Sequence, residues 1–420
     1  MRLPRRFYAL FAAAALCAPA LAAQSGQVET AAAAETYRQA ALTLDQVLAR
    51  ALQENLDVRL ARLRADSSRA EVRIARSYAN PALAITPNNP WQYSIAAPFD
   101  VGPQRTYRVR TANDGAAAAG HDVRDTERQV RFAIRSAFYD LILADTIRAI
   151  TREQHDMFRD LLAADSARVR AGDIPERNLV KSELELAKAD ADLSRADAGV
   201  RAARIALQAT MGVAQLDTGF RVRGSLATRP LPALTAAFTD SSVAHRPDVR
   251  AAQVRTQASE DSRRFATSLL VPVPGLLLVQ QRDEPFPNGQ HYAFGISAQL
   301  PVWNWFSGER DRADASVKQS RVSEERVRVQ AYAEVTSAFD QFRAAELLAQ
   351  KLNGAMLAKA RAALETARFA YSAGAISYVD LLDAVRTYGE IRADAATAGH
   401  DYWVSAYAVA RALDQEVVQP

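Results

Sequence analysis

The chain reads as mainly α-helical with a small β part, one structural unit written twice. Asn55-Leu56-Asp57-Val58-Arg59-Leu60-Ala61 is echoed by Arg246-Pro247-Asp248-Val249-Arg250-Ala251-Ala252. Ala171-Gly172-Asp173-Ile174, followed by Asn178-Leu179-Val180, is echoed by Ala373-Gly374-Ala375-Ile376, followed by Asp380-Leu381-Leu382. The offsets, about 191 and about 202 residues, are far too long for a solenoid unit and fit a duplicated half-protein. Long stretches without Gly or Pro predict helices, and short Pro-bounded apolar patches between them predict strands.

Met1 to Ala23 reads as an export leader. Arg2, Arg5 and Arg6 form its basic start, Phe7 to Leu16 carry no charge, and Ala20-Leu21-Ala22 offers a small-x-small cleavage site. The apolar run is too short to remain as a membrane anchor. Cys17, the one cysteine, falls inside this leader, with Leu16 where lipoprotein processing favours a small residue. A mature chain starting near Ala23 or Gln24 has no thiol for disulfides or thiol chemistry.

The first repeat is expected over residues 42–215. Leu42 to Ser77 is a helix that Thr43 and Gln46 open with a capping box. His121 to Ala171 is a second, roughly 75 Å long if unbroken. Gly172 ends it, and Pro175 suits the first turn of a third helix from Glu176 to Met211. The second repeat, 235–415, has the same order: Ser241 to Ser268, Glu309 to Asn353 and on to Ala373, then a helix capped by Ser377 and ending near Asp414. Val335, Ala338, Phe342, Ala345, Ala349 and Leu352 alternate spacings of three and four, which is a coiled-coil seam with small residues for close packing.

Strands are expected over Ala82 to Thr86, Trp91 to Val101, Leu269 to Arg282 and His291 to Trp303. Tyr292-Ala293-Phe294-Gly295-Ile296-Ser297-Ala298 alternates large and small side chains with period two. Trp91, Tyr93, Trp303, Trp305 and Phe306 gather at the strand ends, as aromatics do where a membrane strand crosses the headgroups. A soluble capping sheet with an aromatic core would read alike. Four strands cannot close a barrel, whereas three chains would bring twelve.

Charge and motif exclude much. The 52 basic residues, mostly arginine, nearly balance 48 acidic ones and are interspersed along helices, which describes solvated helical faces and not a nucleic-acid surface. His121, His155, His245, His291 and His400 are scattered without metal-ligand spacing, and four methionines are too few for a soft-metal relay. No nucleophile–base set or phosphate loop is present, so neither an enzyme, a resident metal nor a cofactor is expected.

Tyr371-Ser372-Ala373-Gly374-Ala375-Ile376-Ser377-Tyr378-Val379-Asp380-Leu381-Leu382-Asp383-Ala384 resembles the helical-hairpin tip of the TolC-type outer membrane efflux proteins. Arg246-Pro247-Asp248-Val249 and Leu300-Pro301-Val302-Trp303 are similar to that family too, and Asn80-Pro81-Ala82-Leu83 resembles its heavy-metal and multidrug RND channels. The resemblance implies a homotrimer with a twelve-stranded barrel in the outer membrane and an α-helical tunnel through the periplasm. It further implies a passive duct of a tripartite efflux or type I secretion system, partnered by a periplasmic adaptor and an inner membrane RND or ABC pump. A periplasmic coiled-coil adaptor is the alternative, though adaptors usually place one helical hairpin between β-rich halves.

Asp380 and Asp383 lie three apart on one helix face just past Gly374. Three copies would ring the periplasmic mouth with six carboxylates, and the resemblance places an acidic gate there. The plain alternative is a hydrated helix start, where acids complement the dipole. Asn178 and Lys181 occupy the corresponding first-half positions, so one hairpin is acidic and the other polar and basic. Gly172 and Gly374 should end their helices in left-handed conformation. Arg168 and Arg368, about a turn earlier, either pair with last-turn carbonyls or contact the adaptor, which by resemblance docks on these tips.

Overall fold

A computed structural model describes residues 41–87, 91–100, 102–231, 240–282 and 290–415. The expected leader with Cys17, and Val101 at the end of the second expected strand, lie outside the described residues.

The first half begins with α1 (Leu44–Glu54) and α2 (Leu56–Arg76), then β1 (Ala82–Thr86) and β2 (Gln92–Pro98). It continues through α3 (Pro103–Ala171) and α4 (Glu176–Met211). The second half has α5 (Asp240–His245), α6 (Pro247–Ser268), β3 (Pro274–Arg282) and β4 (Gln290–Ala298). Then come α7 (Ser307–Lys351), a π turn (Leu352–Met356), α8 (Leu357–Ser372) and α9 (Tyr378–Leu413).

Several helix boundaries differ from the sequence reading. The Leu42–Ser77 helix is two, because the Asn55 side chain turns back to accept from the Asp57 and Val58 N–H groups and caps a new start. Pro247 divides the Ser241–Ser268 helix likewise, taking the first turn of α6, where its missing N–H costs nothing. Helix α3 begins at Pro103 and runs through Gly115 and Gly120, so its 69 residues span about 100 Å. The counterpart in the second half is interrupted at Gly354, where φ −90° and ψ −120° leave the helical region.

The helices pack by heptad seams. Val335, Ala338, Phe342, Ala349 and Leu352 are buried and Ala345 is half-buried, so the seam read from spacing is the packed face of α7. The main core surrounds Tyr139, Trp403 and Tyr407, with Tyr139 and Trp403 rings stacked 5.7 Å apart. A smaller core near the hairpin ends joins Phe158, Leu364, Leu381 and Leu382.

The starts of α2 and α6 are each tied to a distant helix end. Asn55 donates to the Thr210 carbonyl at 2.8 Å, and Arg246 donates to the Ala412 carbonyl at 3.1 Å. Arg246 is 1% exposed, grips both Asp248 oxygens at 3.1 and 2.6 Å, and reaches Glu334 at 2.9 Å. The residues that close these half-units, Gly212 and Asp414, both adopt positive φ after their helices.

The four strands form one antiparallel sheet in the order β1-β2-β3-β4. Leu83, Ile95, Leu278 and Phe294 stand directly across from one another, as do Ile85, Tyr93, Gln280 and Tyr292. Cross-strand partners share a face. One face is therefore bulky and apolar. The other carries Ala84, Ser94, Val279 and Ala293 in one row and Ala82, Ala96, Leu277 and Gly295 in the next. Among the described residues the apolar face is left largely uncovered: Phe294 is 77% exposed and Ile296 83%. Strands β1 and β4 are open edges.

Candidate functional site

The sequence motifs fall at the two ends of an elongated chain. At the sheet end, Trp91 and Tyr93 follow the β1–β2 turn, away from the helices, while Trp303 and Trp305 lie between β4 and α7. All four are exposed, Trp303 at 96%. Large aromatics thus mark both ends of strands up to nine residues long, a span of about 30 Å. That matches a bilayer core in height, and such girdles are where lipid-facing strands carry aromatics. Phe306, at the entry to α7, has φ 51°, so the chain turns sharply just after Trp305.

At the other end, both hairpins turn on glycine. Gly172 has φ 80° and Gly374 has φ 77°. The Gly172 N–H donates to the Val169 carbonyl at 3.0 Å and the Asp173 N–H to Arg168 at 2.9 Å. Gly374 and Ala375 repeat this on Tyr371 and Ala370, at 3.0 and 2.8 Å. These paired bonds terminate both helices with a left-handed residue that a side chain resists.

The restarts differ. Pro175 opens α4 with no side-chain cap, whereas Ser377 opens α9 with a full capping box. The Asp380 carboxylate accepts from the Ser377 N–H at 3.0 Å and its hydroxyl at 2.7 Å. These bonds favour the ionised form and hold the Asp380 carboxyl below the usual range. The helix-start role is therefore real for Asp380. Asp383 stands exposed one turn on.

Tyr371 joins the two hairpins. Its hydroxyl donates to Asp165 at 2.7 Å, and the Ser182 hydroxyl donates to the same carboxylate at 2.5 Å. Arg168 lies over the Tyr371 ring, 5.2 Å from its centroid, a cation–π contact. Burial and the Asp165 carboxylate push the Tyr371 phenol above its ordinary value. Farther up, Arg386–Glu185 at 2.5 Å and Arg392–Glu153 also join the two hairpins, while His155–Asp190 at 2.9 Å ties α3 to α4 within the first. Arg368 lines a charged groove with Arg148, Arg152, Glu153, Asp156 and Asp160.

Asp165 was not singled out from the sequence, although it is fully buried. The signal was present: it falls one heptad after the buried Phe158, where a seam position ordinarily takes an apolar residue. Among the described residues no group of three or more His, Cys, Asp or Glu could hold a metal ion. No described helix is long and apolar enough to cross a membrane.

Residues 239–414 match the family model described as outer membrane efflux protein. Over that stretch the chain matches the outer membrane efflux proteins. It is 25% identical over 407 residues to the cobalt-zinc-cadmium resistance protein CzcC of Cupriavidus metallidurans, covering 92% of this chain and 94% of that one. Solved structures share the fold. CusC aligns with a TM-score of 0.75 at 19% identity over 88% of this chain and 91% of that one. The Campylobacter jejuni CmeC outer membrane channel aligns with a TM-score of 0.76 at 15% identity, covering 88% and 85%. These homologues and neighbours are outer membrane channels that extend into the periplasm, and they are not enzymes. The outer membrane factor family works with periplasmic adaptors and inner membrane pumps.

Proposed function

We propose that this efflux protein is the passive outer membrane duct of a tripartite efflux or type I secretion system. Three copies close a twelve-stranded barrel above a helical tunnel, and energy comes from an inner membrane RND or ABC pump joined through a periplasmic adaptor. The cargo is small molecules or metal ions, in keeping with the metal-resistance relative. Residues 42–215 and 235–415 are the two efflux repeats, each giving one strand pair and one helical hairpin.

The observation that carries this reading is the four-stranded sheet with one bulky apolar face and two open edges. Lipid tolerates no unpaired backbone edge, and closure with further copies removes both. The apolar face then meets acyl chains between the girdles of Trp91 with Tyr93 and Trp303 with Trp305. Membrane fractionation with a native mass in mild detergent tests it: a salt-resistant outer membrane trimer is expected, and a stable monomer would overturn the architecture.

At the periplasmic end, Asp380 and Asp383 form the gate, and the tips with Arg168, Gly172, Arg368 and Gly374 dock the adaptor. Gly172→Val or Gly374→Val places a β-branched residue at positive φ, costing about 1–3 kcal/mol locally. We expect the membrane-inserted trimer to survive and adaptor-dependent export to fall several-fold. Undiminished export in both variants would remove the tips as the docking surface.

A further inference from the structure

The two halves of the chain meet along the seam of α3 against α9. From the sheet end downward it passes through Arg128 on the Arg411 carbonyl at 2.7 Å, Tyr139 stacked on Trp403, Asp140 beside His400, and Glu153 paired with Arg392. Of these contacts, Asp140–His400 is the one that changes charge near neutral pH. Carboxylate and guanidinium groups keep theirs across that range, whereas imidazole does not.

His400 has a carboxylate at each ring nitrogen. Nε2 lies 2.7 Å from Asp140 on α3, and Nδ1 lies 2.9 Å from Asp401 on its own helix. The ring is mostly buried, while both carboxylates reach solvent. Imidazolium alone satisfies both acceptors, because a neutral ring donates from one nitrogen and turns a lone pair toward the other carboxylate. Burial by itself would lower the His400 pKa, but the two carboxylates outweigh it and raise it above the ordinary value. From the other packed elements, Glu346 of α7 and Arg229, in the segment after α4, act with opposite signs on the neighbouring Tyr402. Arg148, farther along α3, pairs with Asp145 at 3.0 Å. His155 repeats the two-carboxylate pattern with Asp156 and Asp190, but it ties α3 to α4 inside the first hairpin.

We propose that His400 is a positioning residue whose imidazolium clasps α9 to α3, and that loss of its proton frees α9 to move against the first hairpin. This rests on the reading of Asp380 and Asp383 as the gate and adds control of the mouth by protonation. The placement gives leverage: His400 lies 20 residues from Asp380, about 30 Å along one helix. Above it, α9 is fixed by Trp403 and Tyr407 in the main core. Below it, α9 stays close to α3 where the Gln154 side chain occupies the space that Gly389 leaves without a Cβ. A group whose pKa is raised by folding contributes fully below its unfolded value and is lost as pH rises through the folded one. The clasp is therefore closed in mild acid and released in mild alkali.

Channel currents and thermal midpoints across the neutral range test this. In planar bilayers the open fraction of the wild type should rise at least about threefold between about pH 6 and about pH 8.5, while the midpoint of the detergent-solubilised protein falls. His400→Gln keeps a hydrogen bond without a titrating ring. It should flatten both profiles, with currents at about pH 6 like those of the wild type at about pH 8.5. Asp140→Asn weakens the hold on the proton, so both profiles should keep their shape and move to lower pH, which mere loss of packing would not produce. Wild-type profiles in His400→Gln would overturn the proposal. So would a flattened midpoint with an unchanged current profile, since the contact would then stabilise the fold without acting on the mouth. If currents follow His400 while Asp380→Asn with Asp383→Asn keeps wild-type selectivity, the clasp stands and the acidic gate fails.

Discussion

Replacing Arg246 by Ala should lower stability by about 3–5 kcal/mol, the usual cost of removing one partner from a buried ion pair. The guanidinium binds both Asp248 oxygens, Glu334 and the Ala412 carbonyl, and all of them lose that donor together, Asp248 keeping the Val249 N–H. Arg128 lies 3.6 Å from Asp248 and already serves Asp125 and the Arg411 carbonyl, so it replaces little of this. The thermal midpoint of the detergent-solubilised protein should fall by on the order of 10 °C. Combining Arg246→Met with Asp248→Asn and Glu334→Gln removes the stranded charges and should recover part of the loss. A midpoint within a degree or two of wild type for Arg246→Ala would show that the pair contributes nothing net.

The same site has a pH signature. Burial alone would raise the Asp248 carboxyl, but its hydrogen bonds with Arg246 outweigh that and hold it below its ordinary value. A carboxyl depressed in the folded state contributes stability that is present above the unfolded value and lost as pH falls through the folded one. Acid should therefore destabilise the wild type below about pH 4, and the Arg246→Met, Asp248→Asn, Glu334→Gln combination should flatten that limb.

The residue pattern announced some of this architecture and concealed the rest. Heptad spacing found the α7 seam because a coiled coil writes its packed face directly into residue spacing. Period-two alternation found β4, and the left-handed glycines announced both hairpin tips. The break at Asn55 was hidden because the capping side chain is polar and sits inside an otherwise helical run. Arg246 and Asp165 were hidden for a different reason: a buried charge looks like a surface charge until its partners, distant in the chain, are placed.

Asp380→Asn with Asp383→Asn should lower the cation preference of the open channel several-fold in planar bilayers and weaken block by trivalent cations added from the periplasmic side. Both carboxylates are exposed on one face of the first turns of α9, so three copies would project six negative charges at the mouth and raise the local cation concentration. Mutual repulsion in such a ring raises carboxyl pKa values, but within the chain Ser377 opposes this, holding Asp380 low through two hydrogen bonds. Those bonds favour the charged form of Asp380, so its contribution to the cation preference should be present at neutral pH. Asparagine keeps an oxygen to accept from the Ser377 N–H, and neither side chain enters the Leu381 and Leu382 core, so trimer yield should be unchanged. Ser377→Ala separates the two roles: it removes the hydroxyl that caps α9 while leaving both charges, and should loosen the helix start with selectivity intact. Wild-type selectivity and block in the double Asn variant would reduce both acids to helix-start residues, and the constriction would then be sought in the buried Asp165–Tyr371 contact between the hairpins.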